Sequence, residues 1–508
     1  MKLLQKKSWR IVMMFAALSA LLVWVSNPVT NNRTQDSIDT ITEQPFTSTV
    51  SATSVIHAFE PSFDLPDGMQ GIAETGTISI LFGDTQAFAE NDTQEESFAF
   101  AYFTNTEGEM MQIAGDAMDY IAFNGDEVAI EYASTHTEYD DGVNLPVIMP
   151  MDIRVLQNDP LTQNAVTGNT QWVNIACRFS DVSDTPRPIS YFEDILTNEA
   201  PGMDHYWRET SADLVDIDGS GAFGWYDLPR TKAQYTAMGR ANVGNALRAL
   251  MTDCVSAAQE NDNVDFTQYG GINMMLNATF GCCAWGGRMP LQIDGRTVQY
   301  RTTWLPPWAF NSLHVIAHEM GHGWGLPHSS GPYGKVYDSA WDVMSGGNSN
   351  HTDAICRVGS EPLGCWQVGT VGLHLGMLGW IPENRMTVVA SGQTATLEIE
   401  SLTTLGDNDD RMLILVPIGN TNTFYTVEAR AFIDYDRNLP GEAVVLHQVV
   451  PGRSSPAHVV DADNNGNPND EGAMWHAGET FEDARANITV EVLERDGSTF
   501  TVRVTNNN

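Results

Sequence analysis

Residues 311–330 read NSLHVIAHEMGHGWGLPHSS. His318 and His322 stand four positions apart, so on a helix both imidazoles leave one face, one turn apart. That geometry supplies two corners of a tetrahedral zinc site. Glu319 lies at the edge of the same face, where its carboxylate can hydrogen-bond a metal-held water without ligating the metal. Gly325 lets the chain turn sharply after the helix, and His328 can then swing back as a third ligand. Three neutral imidazoles leave a fourth position open to water, as in a catalytic rather than a structural zinc site. The stretch therefore predicts one catalytic Zn2+ on His318, His322 and His328, with Glu319 as the base. A helix with incidental histidines explains this spacing and the turn glycine poorly.

Outward from this string the chain changes texture twice. Upstream, WVNIACRF from Trp172 predicts a buried strand leading to a helix near 191–196. Residues 233–259 predict one long helix, and GGINMMLNATF predicts a central strand. Strands alternating with helices make residues 170–386 a layered α+β domain. Before it, TGTISILFGD, ESFAFAYFTN and DEVAIEYAST place short strands between turn residues, so residues 56–155 are expected to form a small β domain, a candidate propeptide. From about Thr387 strands dominate again, and residues 387–508 predict a C-terminal β-sandwich. The fold expected is thus α+β, with the HExxH helix in a central domain flanked by two β-rich ones.

The 508 residues carry 65 acidic against 26 basic side chains, a net charge of −39. A surface that negative repels phosphate backbones, so no nucleic-acid partner is expected. At the N-terminus Lys2, Lys6, Lys7 and Arg10 precede an apolar run from Ile11 to Val25. Residues 1–30 are expected to be a signal peptide or an uncleaved anchor, the anchor being the sole membrane contact expected. Residues 31–55 hold ten Ser or Thr and form a linker. The chain is expected to be secreted or held at the cell surface. Its six cysteines, Cys177, Cys254, Cys282, Cys283, Cys356 and Cys365, fit disulfides of an oxidising compartment. Cys356 and Cys365 can close a short loop, while adjacent Cys282 and Cys283 are expected to reach different partners.

The string HExxHxxGxxH resembles the zinc signature of the metzincin metalloendopeptidases. YDSAWDVMSGG at 337–347 supplies the Met-containing turn that the resemblance requires, with Met344 as an apolar floor beneath the histidines. Within that group the chain is most similar to bacterial gametolysin-like and immune-inhibitor-A-like secreted peptidases, through DHYWRETS (204–211), FGWYDLP (223–229), LGMLGWIP (375–382) and the strand-rich stretch at 425–449. The resemblance implies a metzincin-like catalytic domain that hydrolyses protein or peptide substrates by zinc-activated water. Two departures stand out. The tyrosine that several metzincins place two residues after the turn methionine is Gly346 here, leaving Tyr333, Tyr337 or no tyrosine in that role. The N-terminal β domain has no cysteine, so an inhibitory role for it would need another contact.

Other candidates are weaker. His314 is expected behind the ligands or exposed, and His205, His351 and His374 are expected to be structural. Glu209 is expected to brace the domain without a catalytic role. Asp461, Asp463 and Asn465, in DADNNGNPNDEG, open like a calcium loop, although the twelfth position is Gly472 rather than Glu. Asp216, Asp218 and Ser220 form a lesser version, and Asn91 and Asn277 stand in glycosylation-type triplets. Two other functions fit the same string: a surface-binding, adhesin-like protein keeping zinc for structure, and a zinc amidase acting on cell-wall peptides. The intact Glu319 argues against the first.

Overall fold

The apolar alternation at Ile72–Thr85 becomes β1, the pivot of the molecule. In this computed structural model residues 51–52, 55, 72–85, 97–135, 146–157, 166–239, 242–293, 295–346, 356–360, 363–403 and 410–508 are described. The expectations for the signal or anchor segment, Asn91 and His351 lie outside them. Ser51 and Ala52, at the end of the expected linker, dock on the Glu383 carboxylate at 2.8 and 2.9 Å. β1 pairs antiparallel with β2 (Ser97–Asn105). With β3 (Met110–Ile113), β4 (Glu127–Thr135) and β5 (Val147–Gln157) these strands close a ring in the order β1-β2-β3-β5-β4. The side chains inside this barrel, among them Ile78, Ile80, Phe82, Phe103, Val128 and Ile130, form a core of their own.

The central segment is a layer of strands carrying helices: β6 (Trp172–Arg178), α1 (Ile189–Asp194), α2 (Met203–Ser211), β7 (Gly221–Asp227), α3 (Lys232–Met238), α4 (Val243–Asp262), β8 (Gly271–Leu276), β9 (Cys283–Ile293), β10 (Arg296–Leu305), α5 (Leu313–Trp324) and α6 (Gly372–Met377). The strand order is β9-β10-β8-β6-β7, parallel except for β9. β8 is buried at every residue, as its unbroken apolar run requires of a central parallel strand. The helix expected over 233–259 is two helices. α3 starts at a Thr231–Gln234 capping box and ends at Gly239; α4 restarts under Asn242, whose side chain accepts the Gly244 N–H. Asn242 also accepts the Tyr102 hydroxyl of β2 at 3.0 Å, which ties the restart to the barrel.

Beyond residue 80, β1 runs antiparallel along β9, from Leu81 opposite Gly287 to Thr85 opposite Cys283. Barrel and central layer thus share one continuous sheet of ten strands. Cys177 pairs with Cys254 and Cys356 with Cys365. Cys282 and Cys283 pair with each other, contrary to expectation, since every other cysteine already has its partner.

The C-terminal segment supplies β11 (Met386–Val388), β12 (Gln393–Glu400), β13 (Leu413–Pro417), β14 (Phe424–Arg430), β15 (Ala443–Val449), β16 (Ala457–Val459), β17 (Thr480–Asp483), β18 (Ile488–Asp496) and β19 (Thr499–Asn506). One sheet runs β16-β15-β14-β13-β11 and the other β12-β19-β18-β17, facing each other over Ile399, Ile414, Val427, Leu446 and Val502. Strand alternation sends Leu413 and Leu415 to the opposite face, into a core with Trp324, Val343 and Met344 of the central segment. Ser329 and Ser330 join this sheet as well, parallel to β16. Helix and strand make up 22% and 39% of the structure, an α+β composition. Among the described residues no helix is long and apolar enough to cross a membrane.

Candidate metal centre

α5 is buried at every residue, which its nearly all-round apolar sequence favours, and it packs on β9 and β10. Ser312 caps its N-terminus by accepting the Val315 N–H, and Gly325 ends it at φ +106°, a conformation that disfavours any side chain. His318 and His322 project from one face as their spacing requires, and the chain returns after Gly325 so that His328 joins them. The Nε2 atom of His322 lies 3.2 Å from that of His318 and 3.0 Å from that of His328.

The partners of the other ring nitrogens fix what these atoms are. Nδ1 of His318 faces the Val343 carbonyl and Nδ1 of His322 the Leu326 carbonyl, each at 2.7 Å. A carbonyl only accepts, so both Nδ1 atoms carry the proton and both Nε2 atoms present lone pairs. Burial pulls the His322 imidazolium down to about 3, which keeps that ring neutral. Converging lone pairs repel each other unless a cation stands among them. Two ligands each about 2.0–2.1 Å from a tetrahedral ion are about 3.3 Å apart, close to the separations found here. The residues present therefore fit a metal ion.

A fourth donor, which the sequence reading missed, completes the group. Asp84, at the end of β1, places Oδ2 at 3.4 Å from Nε2 of both His318 and His322, and Oδ1 at 2.8 Å from Nε2 of His328. All four donor atoms lie within 4.8 Å of one another, and all four residues are buried. Burial opposes the Asp84 charge, but the three imidazoles outweigh it and hold the carboxyl well below its ordinary range. Phe82, two residues earlier on the same strand face, stacks on His322 at 4.2 Å and 10°. The one advance sign was a lone acid ending the core-facing series Ile78, Ile80, Phe82, Asp84.

Glu319 is fully buried beside this group, and neither carboxylate oxygen accepts a hydrogen bond from a donor of the fold. Burial first, and the neighbouring Asp84 charge second, push its carboxyl well above the ordinary carboxylate range. The close wall behind it is β9 backbone: a side chain at Gly286 would meet the Glu319 carboxylate at 2.8 Å.

Met344 lies under α5 with its sulfur against Gly321. Its loop is braced by Asp342, which accepts the Met344 N–H at 3.1 Å, the Thr370 hydroxyl at 2.7 Å and the Ser329 hydroxyl at 2.6 Å, and pairs with His374 at 3.0 Å. His374 is thus structural, as expected. So is His205, which bonds Tyr435 at 2.9 Å. His314 is buried behind the ligands, with Nε2 at 3.1 Å from the Ser345 carbonyl. Tyr337 is the tyrosine at the site: its hydroxyl donates to Asp84 and its ring lies edge-on to His328. Position 346 cannot host a side chain, because a Cβ there would overlap the Tyr337 carbonyl.

Tyr333 donates instead to Asp461, in the acidic loop. That loop brings Asp461 and Asp463 together with Asp470. The Asn465 amide nitrogen bonds Asp463 at 2.9 Å and Asp470 at 2.8 Å, so Asn465 ties the acids to each other rather than presenting an oxygen to their centre. Asp216 is taken up by Arg208 and Asn169. Asn277 is buried and bonded to Phe179, Val182 and Asp184, so it cannot carry a glycan in the folded chain. Comparison of the chain with known protein families, characterised proteins and solved structures found no match.

Proposed function

We propose that the chain is an exported, zinc-dependent endopeptidase with a metzincin-type centre. One observation carries this reading: three imidazole Nε2 atoms converge beside a buried glutamate whose carboxylate accepts no hydrogen bond from the fold. A structural metal site needs the histidines, but it has no use for a carboxylate buried without a partner, which costs stability. The donor set suits zinc, which when bound acts as a Lewis acid and lowers the pKa of water from 15.7 to about 7. Glu319 accepts the proton of the attacking water and returns it to the leaving amine. The absence of free cysteine among the described residues supports an oxidising compartment.

The test is casein hydrolysis by the purified chain and by Asp84→Ala, each with and without Glu319→Gln, with zinc content measured on every sample. Cleavage that a zinc chelator abolishes, and that Glu319→Gln removes without loss of zinc, is the expected result. Folded, zinc-loaded protein that cleaves nothing in either Asp84 form would overturn the reading.

We also propose calcium at the acidic loop. Asp461 is buried, and its Oδ1 has no hydrogen-bond partner. This oxygen and the Asp463 carboxylate converge over the bare backbone of Gly472, where a Cβ would lie 2.4 and 2.8 Å from their oxygens.

A further inference from the structure

We infer that Asp84 occupies the fourth ligand position of the metal, so that β1 seals the centre until this strand is displaced; the inference rests on the metallopeptidase reading above. The distances carry it. Asp84 Oδ2 is equidistant, at 3.4 Å, from Nε2 of His318 and of His322, and those two nitrogens are 3.2 Å apart. These three separations match edges of a tetrahedron about 2.0–2.1 Å in radius, with a carboxylate where a catalytic site keeps water, while the other oxygen, Oδ1, lies closer to His328, at 2.8 Å from Nε2.

The backbone explains why the carboxylate stays there. Residues 81–85 add an antiparallel strand to β9, the free edge of the central layer. Side-chain alternation sends Leu81 into the core beneath β9, among Trp285 and Met289, while Phe82 and Asp84 face the histidines. Gly287 lies so close to the strand that a Cβ there would stand 2.2 Å from the Ile80 carbonyl. Tyr337 clamps Asp84 from the central segment by donating to Oδ1. An extended substrate seeking the same edge and the same metal would have to remove this strand first. The seal therefore needs no cysteine, which the N-terminal segment lacks.

The test loads the full chain, Asp84→Ala and Asp84→Asn with cobalt(II) and follows the visible spectrum during titration with acetohydroxamate. Circular dichroism checks that the variants are folded; asparagine preserves the shape of the side chain. The expected result is a wild-type spectrum indifferent to acetohydroxamate, and variant spectra that shift with about tenfold or more tighter apparent binding. Equal binding by all three would overturn the inference while leaving the histidine site intact. A folded wild type that holds no cobalt would remove the metal reading, and the inference with it. Variants that open to acetohydroxamate yet never cleave casein would uphold the seal and remove the peptidase reading.

Discussion

Gly321 lies one residue before His322, and a methyl group there would come within 2.4 Å of the Met344 sulfur. Overpacking of this kind costs about 1–3 kcal/mol, and here it acts on the helix that holds two ligands. Gly321→Ala is expected to lower the unfolding free energy in urea by that amount and to weaken metal retention on dialysis; unchanged values would mean that the thioether swings aside. The grouping of His318 with His322 was legible in the sequence because helix periodicity converts a spacing of four into a shared face. Glu319 came with them. Asp84 was not legible in this way, since Tyr337, which holds it, stands 253 positions away, and only strand register joins the two. Tyr337 was one of two tyrosines open for the site; choosing between them required the fold, which sends Tyr333 to Asp461 instead.

Among the elements, the acidic loop has the widest reach. It is sewn to the loop that carries Tyr337 and Met344: Asn469 accepts the Ala340 N–H and donates to the Asp338 carbonyl, each at 2.7 Å, and Trp341 donates to the Pro468 carbonyl at 3.1 Å. Calcium bound there stabilises the folded chain by mass action, about 2.7 kcal/mol at a hundredfold excess over Kd. Added calcium is expected to raise the Tm of the wild type but not of Asp463→Asn; identical melting of both proteins with and without calcium would rule the site out. The acids were visible in advance as a broken loop motif, whereas Asp470 as third member was not, because the chain turns where that motif would continue. Strand texture was similarly readable in TGTISILFGD, which became the core of β1. Its partner β9 was hidden, since alternation reports a buried face but not a neighbour. The split between α3 and α4 turned on an Asn242 cap, a local signal weaker than the apolar pattern around it.

At the scale of the whole molecule, texture changes suggested three separate bodies, yet a continuous sheet joins the first to the second and a common core joins the second to the third. Composition marks where a segment changes character, not which surfaces it buries. A charged network secures the second junction. Arg430 on β14 donates to the Trp341 carbonyl at 2.9 Å, pairs with Asp436 at 2.9 Å and reaches Glu428 at 3.0 Å; Glu428 accepts the Gly372 N–H at 2.7 Å. Burial raises the Glu428 carboxyl from 4.5 to about 7, although Arg430 opposes the shift. The folded chain keeps a proton there that the unfolded chain releases, so this contribution to stability is whole below about pH 4.5 and lost as pH rises through about 7. Relative to Glu428→Gln, the wild type is expected to lose on the order of 3 kcal/mol between pH 4.5 and 8 in urea titrations; parallel pH profiles would show that Arg430 keeps the carboxylate ionised. The pairing of β1 with β9 has a further consequence in time. Synthesis runs from the N-terminus, so β1 leaves the ribosome about two hundred residues before β9 and earlier still than α5. The covering strand thus exists before the centre it covers, and a centre assembled in that order is closed from the moment it forms.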